Sequence, residues 1–329
     1  MTGVQSAAEP NGLAAAGTCL DVANRRPRVA IAISAFRSDA AVIALIERIR
    51  EEEIQYDWLF VVDSCGSGVL RTRIEQWNEA RIGYHGSDQN LGSAGNLGRR
   101  FEIAMQLGAD AMLALNHDAA FSRVEYEALH EAMATSADIG AVYPMRYELG
   151  RGRFDISGTR RFPWKFHGTA EIAAGSMLPA YWGSSNGALY SLEPARRGLV
   201  PDQTLWMGWE DYAYGIDLHA AGWSQYLVER ARKDDTYEYC DRRFMGINVT
   251  TADKPAWYFF YGIRNLTLLH LHSRRSLRGL AFLALWAPVY AARIVLFPAR
   301  AGLLQSISYF AAGLFHGLLN RRGKWRLPG

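Results

Sequence analysis

The chain has 329 residues, room for one large domain or two modest ones, and its 49% apolar and 12% aromatic content excludes a disordered chain. The net charge of +3 hides a split: from Lys254 onward there are eleven Lys/Arg and no Asp or Glu, so this end carries +11, while residues 1–253 hold 25 basic and 33 acidic groups and carry −8. One evenly mixed soluble globule does not partition charge in this way. An acidic body with a basic end points to an anionic contact, either nucleic acid or membrane.

Residues 1–26 are rich in Ala and Gly, lack any helical or strand period, and have no Lys or Arg before Arg25, so they read as an N-terminal arm and not as a secretory leader. Arg28–Ser34 (RVAIAIS) is a short apolar run, which predicts a buried strand. Ser38 can cap a helix whose apolar positions Val42, Leu45, Ile46 and Ile49 fall on one face. Strands follow over Asp57–Asp63 and Arg81–His85, then a helix over Gly92–Leu107 with Leu97, Phe101, Ala104 and Met105 inward. A fourth strand is expected over Ala111–Leu115, a helix opened by a Ser122/Glu125 capping box, and a fifth strand over Asp138–Tyr143. This alternation predicts an α/β fold with a mostly parallel, doubly wound sheet flanked by helices.

After Pro144 the alternation weakens. Gly150–Trp182 reads as long loops with short strands, Asn186–Ser191 as a further strand, and Glu210–Ala221 as a helix closed by Gly222. Cys19, Cys65 and Cys240 are odd in number and widely spaced, which suits a reducing compartment and no C-x-x-C metal site. The body is expected to span residues 27–255 and a basic, apolar helical region 256–329. That region holds two apolar stretches, Gly279–Phe297 and Ala301–Leu319, flanked by Arg274, Arg275, Arg278, Arg300, Arg321, Arg322, Lys324 and Arg326. A membrane span needs about 20 apolar residues. Arg293 and Pro288 interrupt the first stretch, and Gln305 and His316 the second. Amphipathic helices lying in the membrane interface therefore fit better than an inserted hairpin or soluble core helices. The region is too apolar for a nucleic-acid arm, which excludes nucleic acid, and its uniformly positive flanks place both ends on the cytoplasmic side of the membrane.

In a doubly wound sheet, ligands bind outside the carboxyl ends of the strands. Ser34, Asp63 and the run Asn116-His117-Asp118 all stand there, although an Asp at a strand end can equally be a turn residue bonding its own backbone. The segment Asn90-Leu-Gly-Ser-Ala-Gly-Asn-Leu-Gly98 opens a helix and could bring backbone close to a phosphate, but it lacks the G-x-G-x-x-G order of a dinucleotide site. Trp209-Glu210-Asp211 offers either two acids favoured by a helix dipole or a carboxylate base beside an aromatic platform.

The order of these pieces resembles the inverting family 2 glycosyltransferases with the GT-A (Rossmann-like) fold, from about Arg28 to about Asn265. Val29–Arg37 with Val61-Val62-Asp63-Ser64 matches the nucleotide-binding strand ends. Asn90–Asn96 matches the N-x-G-x-x-x-N loop, Leu115–Asp118 stands at the metal motif, and Gly208-Trp-Glu-Asp211 matches the acidic pair. Tyr258–Asn265 (YFFYGIRN) is similar to a segment of rhamnosyltransferase- and galactofuranosyltransferase-like members.

The resemblance implies a nucleotide-diphosphate sugar donor, UDP- or dTDP-linked, and a glycan acceptor, lipid-linked as befits a membrane enzyme of cell-surface polysaccharide or cell-wall synthesis. Asp63 would bind the base, with Ser34 and Phe36 flanking the nucleoside and Asn90, Gly92, Asn96 and Asn116 completing the donor side. Asp118 would hold Mg²⁺ or Mn²⁺, Asp211 would be the general base, Glu210 would bind sugar or acceptor, and Trp209 and Asn186 would contact the sugar. The metal motif here is Asn-x-Asp, and the His expected some twenty residues after the acidic pair is replaced by Val228–Asp234, so Asp234, Asp235 or water would complete the metal shell. Two other readings are a degenerate membrane scaffold and a sugar nucleotidyltransferase, the latter disfavoured by Ser34-Ala-Phe-Arg37 after the first strand. Homo-oligomerisation is left open.

Overall fold

The computed structural model describes residues 26–164, 167–168, 172–235, 239–244, 247–252, 255–297 and 302–325. Cys19 and nearly all of the expected N-terminal arm lie outside these residues.

The sheet begins with β1 (Val29–Ala35), and its sequence shows why both faces are covered. Alternation sends Val29, Ile31 and Ile33 to one side and the small Ala30 and Ala32 to the other. The larger side chains pack against α1 (Asp39–Glu51), through Val42, Leu45, Ile46 and Ile49, at about 2 kcal/mol for each buried aliphatic side chain. Ser38 stands at the start of α1 but makes no side-chain cap; its hydroxyl accepts instead from the Phe36 N–H at 3.3 Å. Then come β2 (Trp58–Asp63), α2 (Gly68–Trp77), β3 (Ile82–Gly86), α3 (Gly92–Gln106), β4 (Ala111–Asn116), α4 (Arg123–Met133) and β5 (Ile139–Glu148). The capping box of α4 forms as expected, with Ser122 N–H donating to Glu125 at 2.7 Å and Glu125 N–H to the Ser122 hydroxyl at 3.4 Å. Helix α2 was not foreseen; only Leu70 and Ile74 of its ten residues are buried, too few to set a period.

Short strands β6 (Arg153–Asp155), β7 (His167–Gly168), β8 (Met177–Pro179) and β9 (Ala188–Ser191) follow, then α5 (Glu193–Arg196), α6 (Glu210–Ala220) and β10 (Ser224–Asp235). The main sheet runs β3-β2-β1-β4-β9-β5-β10-β8, with β6 and β7 branching from β5. From β3 to β4 every pairing is parallel, as alternation predicted; β9 then enters antiparallel between β4 and β5. Helices α1, α2 and α4 cover one face, and α3 and α6 the other. Chain order turns back between β2-β1 and β4, so a crevice opens at the carboxyl ends of β1 and β4.

Beyond a hairpin of β11 (Tyr239–Phe244) and β12 (Ile247–Ala252), α7 (Trp257–Thr267) continues into a π-helical turn over Leu268–Ser273. Helices α8 (Leu277–Leu296) and α9 (Leu303–Leu318) follow. Helix α9 lies directly on α7: a Cβ at Gly313 would stand 2.4 Å from the Phe260 carbonyl oxygen. Helix α8 is long and apolar enough to cross a membrane, and it leaves Leu277, Leu285, Val289 and Val295 exposed. Several cations of the basic end are engaged by the protein. Arg264 is buried, Arg274 pairs with Asp217 at 2.8 Å, and Arg322 pairs with Asp202 at 2.8 Å, so part of the basic end is docked on the acidic body.

Candidate active site

Parallel strands bring Ser34, on β1, and Asn116, on β4, side by side in register. The Ser34 hydroxyl donates to Asn116 Oδ1 at 3.1 Å, and the Asn116 N–H donates to Asn186 Oδ1 at 3.1 Å. These residues, up to 152 positions apart in the chain, thus form one polar seam along the crevice. Phe36 projects at its end, 41% exposed, with the Arg37 guanidinium over its ring at 5.3 Å.

Glu210 and Asp211 open α6 beside this seam. Asp211 is half-buried; its carboxylate accepts the N–H groups of Tyr212, at 2.7 Å, and of Ser185, the neighbour of Asn186, while the Arg146 cation acts on it from β5. Burial outweighs these contacts and raises its pKa above the ordinary aspartate value. Glu210 is more extreme. It is 8% exposed, and its Oε2 has no hydrogen-bond partner among the described residues. Burial, and then the negative charge of Asp211, push its pKa up to about 7; a hydrogen bond with Ser93 and the field of Arg100 only partly oppose this. Loss of hydration therefore exceeds the help both acids get from the helix N-terminus.

Sequence reasoning did not single out the residues that surround this pair. Ser93, inside the Gly-rich segment, also accepts the Gly208 N–H at 3.2 Å. Arg100 is buried against the central strands β1 and β4, where its Nη1 donates to the carbonyls of Ala32 and Leu115 at 3.2 Å each, and burial pulls its pKa down to about 10. The alanines of β1 leave room for it. An adjacent Arg99-Arg100 pair in an amphipathic helix reads as surface, so the sequence carries no signal for that position.

Four residues expected on the donor side also make contacts within the protein. Asp63 is 1% exposed and spends its carboxylate on the N–H groups of Cys65 at 2.9 Å and Ser67 at 2.7 Å and on the Tyr84 hydroxyl at 2.8 Å. It holds the turn after β2, the structural alternative open to a strand-end Asp. Asn96 is buried and ties α3 to β2, donating to the Val62 carbonyl at 2.8 Å and the Ser64 hydroxyl at 3.1 Å. Asn90 accepts the Gly92 N–H at 2.9 Å. Gly92, at φ +67°, gives room to residue 206: a Cβ would stand 2.0 Å from the Trp206 carbonyl oxygen, which also accepts the Ala94 N–H at 3.1 Å. The helix N-terminus is therefore closed by protein. Trp209 is half-buried at φ +65°, with its indole N–H bound to the Gly262 carbonyl at 3.0 Å.

Asp118 is exposed and has no hydrogen bond or ion pair among the described residues. Asp234 pairs with Arg232 at 2.9 Å. Among the described residues no three His, Cys, Asp or Glu side chains converge to hold a metal. What the donor set does fit is Mg²⁺ or Mn²⁺ bound by one carboxylate, with substrate phosphates and water supplying the remaining ligands.

No protein-family model and no curated protein sequence matches the chain. Solved structures do. A Pyrobaculum calidifontis mannosyltransferase in complex with GDP-Man and Mn²⁺ superposes with a TM-score of 0.54 at 13% identity, over 91% of this chain and 89% of that one. S. aureus TarS 1-349 in complex with UDP-GlcNAc gives 0.52 at 10% identity, over 89% and 88%. The chain shares the fold of these glycosyltransferases.

Proposed function

We propose that the protein is an inverting glycosyltransferase, moving a sugar from a nucleotide-diphosphate donor to an acceptor hydroxyl. The observation that carries this reading is the Glu210–Asp211 pair, one acid buried and the other half-buried, at the strand-end crevice, in a fold shared with two transferases solved with nucleotide sugars. The nucleoside lies along Ser34, Phe36 and Asn116, and Phe36 offers a ring face to the base. Asp63, Asn90, Gly92 and Asn96 act by shaping the walls of the crevice.

Asp211 takes the proton of the acceptor hydroxyl as its oxygen attacks the anomeric carbon from the face opposite the diphosphate, whose bonding pair leaves with the phosphate oxygen. A carboxylate with a raised pKa is a stronger base than an exposed one. Glu210 shares negative charge with it and holds a proton near neutrality, which suits it to donate a hydrogen bond to a sugar hydroxyl. Asp118 would hold Mg²⁺ or Mn²⁺, which when bound offsets charge on the diphosphate.

We place the enzyme at the cytoplasmic face of the inner or plasma membrane, with residues 256–329 as a membrane-associated region and a lipid-linked acceptor. The exposed apolar side chains of α8 and the exposed Arg275, Arg278 and Arg293 support this. Replacing those three arginines by Glu should release the full chain from anionic vesicles at physiological salt; undiminished flotation would end the membrane assignment.

A thermal-shift screen of UDP- and dTDP-sugars, including galactofuranose and rhamnose donors, with GDP-mannose and UDP-GlcNAc alongside, tests the donor class. NMR of the product should then show an inverted anomeric centre. Retention of configuration, or binding of no nucleotide sugar, overturns the reading; binding without turnover favours the degenerate scaffold.

A further inference from the structure

Residues 205–208 precede the acid pair, and what holds them in place lies on α7. Asn265 is 0% exposed and aims its side-chain amide at three carbonyls of this one loop: Leu205 at 3.1 Å, Met207 at 2.8 Å and Gly208 at 2.8 Å. Arg264 is 1% exposed and forms a second layer. Its Nε donates to Asn265 Oδ1 at 2.9 Å, which orients that amide with its N–H groups toward the loop. Its Nη2 donates to the Leu205 carbonyl at 2.6 Å, and its Nη1 to the Gly323 carbonyl. Residues 320–325 thereby join the support; Gly323 N–H donates to the Thr204 carbonyl at 2.7 Å, and Trp325 stacks on Phe260 at 4.3 Å.

The loop needs holding. Trp206, Gly208 and Trp209 all have left-handed backbone, at φ 59°, 79° and 65°, and two of them are bulky residues for which this conformation is strained. The clamp itself is expensive. Arg264 is a buried cation set against carbonyls and the Tyr261 ring, 4.6 Å away, while Asp202, the carboxylate that acts on it, is already paired with Arg322. Apolar packing would fill the same space without burying a charge. What the pair adds is the path of a backbone that leads straight into Glu210 and Asp211.

We propose that Asn265, oriented by Arg264, is a positioning residue for the Glu210–Asp211 pair, and that the C-terminal segment 320–325 belongs to this support. The proposal rests on the reading of that pair as the reacting acids. Misplacing a catalytic group by about 1 Å can cost about 10²-fold in rate, so the effect should fall on kcat and not on donor affinity.

The test compares full-length Asn265→Asp, Arg264→Lys and Asp211→Asn with wild type. Asn265→Asp keeps side-chain size but removes the donating N–H groups. The probe is whichever of UDP-GlcNAc, GDP-mannose, UDP-galactofuranose and dTDP-rhamnose gives the largest thermal shift, followed as donor hydrolysis. Chymotryptic nicking after Trp206, Met207 and Trp209 reads the loop itself. For Asn265→Asp we expect nicking at least about tenfold faster, kcat down about 10²-fold and donor affinity within about threefold. Arg264→Lys should lose less of the rate than Asn265→Asp, in the same direction on nicking and kcat, and it decides by the same criteria if Asn265→Asp does not fold. Unchanged nicking, unchanged kcat, or parallel loss of kcat, donor affinity and melting temperature overturns the proposal. If Asp211→Asn keeps wild-type turnover, the catalytic reading falls instead, and faster nicking of Asn265→Asp then leaves a loop clamp with no catalytic role, which also overturns it.

Discussion

The end of β2 and the start of α6 both bury an aspartate or glutamate at the same edge of the sheet, with opposite results. Asp63 is 1% exposed and receives three hydrogen bonds from its own turn and from Tyr84. Glu210 is 8% exposed, and one of its oxygens receives none among the described residues. A buried carboxylate with a full set of donors is a staple, because its charge is solvated by the protein. A buried carboxylate short of donors, with a second acid beside it, keeps a raised pKa, as groups used in acid–base chemistry do. The difference lies in how the neighbouring backbone spends its N–H groups, not in depth of burial.

The largest expected effect breaks the comparison on the reactive side. Asp211→Asn removes the proposed proton acceptor while keeping shape, and kcat should fall by about 10²–10⁴-fold with nucleotide affinity nearly intact. Steady-state turnover together with a donor titration checks this; wild-type turnover would assign the base elsewhere. On the staple side, Asp63→Ala strands two backbone N–H groups and leaves the Tyr84 hydroxyl only the Ser67 carbonyl, 3.1 Å away, among the described residues. Each hydrogen bond to a charged group is worth about 1.5–3 kcal/mol, so the loss of unfolding free energy should reach about 3 kcal/mol in urea, with kcat per folded molecule within about threefold. A variant as stable as wild type but unable to bind donor would return Asp63 to the ligand.

The same contrast explains how far the sequence could be read. Period and capping patterns located β1, α1, α4 and the Glu210 helix, because each depends on side chains a few positions apart. Strand β9 was expected but not its place: four residues pairing with partners some 75 positions back carry no local sign of an antiparallel insertion. The same limit hid the fit of Trp206 over Gly92, 114 positions away: the carbonyl that needs this glycine has no local sign in the sequence. The acids could be found as residues, but which of them was saturated depended on donors brought in by the fold: Tyr84 for one, Ser93 and Ser185 for the others.

Asp118 sharpens the comparison as an acid that is neither stapled nor buried. Its exposure leaves it free to meet a ligand, and Asp118→Ala should weaken donor binding about tenfold in Mn²⁺, the scale of one lost charge-assisted contact of about 1.4 kcal/mol. The measurement is a donor titration with Mn²⁺ and with EDTA, in variant and wild type. Equal affinities in all four arms would remove the metal from Asp118.

The smallest effect, on stability, tests whether Glu210 is destabilised as its surroundings imply. Its folded pKa, raised from 4.5 to about 7, means that the folded chain binds this proton more tightly than the unfolded chain does. Stability contributed by the protonated acid is present below pH 4.5 and is lost as pH rises through about 7, above which the folded state carries a buried charge. Glu210→Gln has no such charge to bury. It should match wild type or fall slightly below it at pH 4.5, gain across the window, and be more stable by on the order of 1 kcal/mol at pH 8, one pKa unit being worth 1.36 kcal/mol. Urea unfolding of both proteins at several pH values gives the difference directly. A flat difference would mean that Glu210 is as well solvated as Asp63, and the two acid sites would then no longer differ in kind.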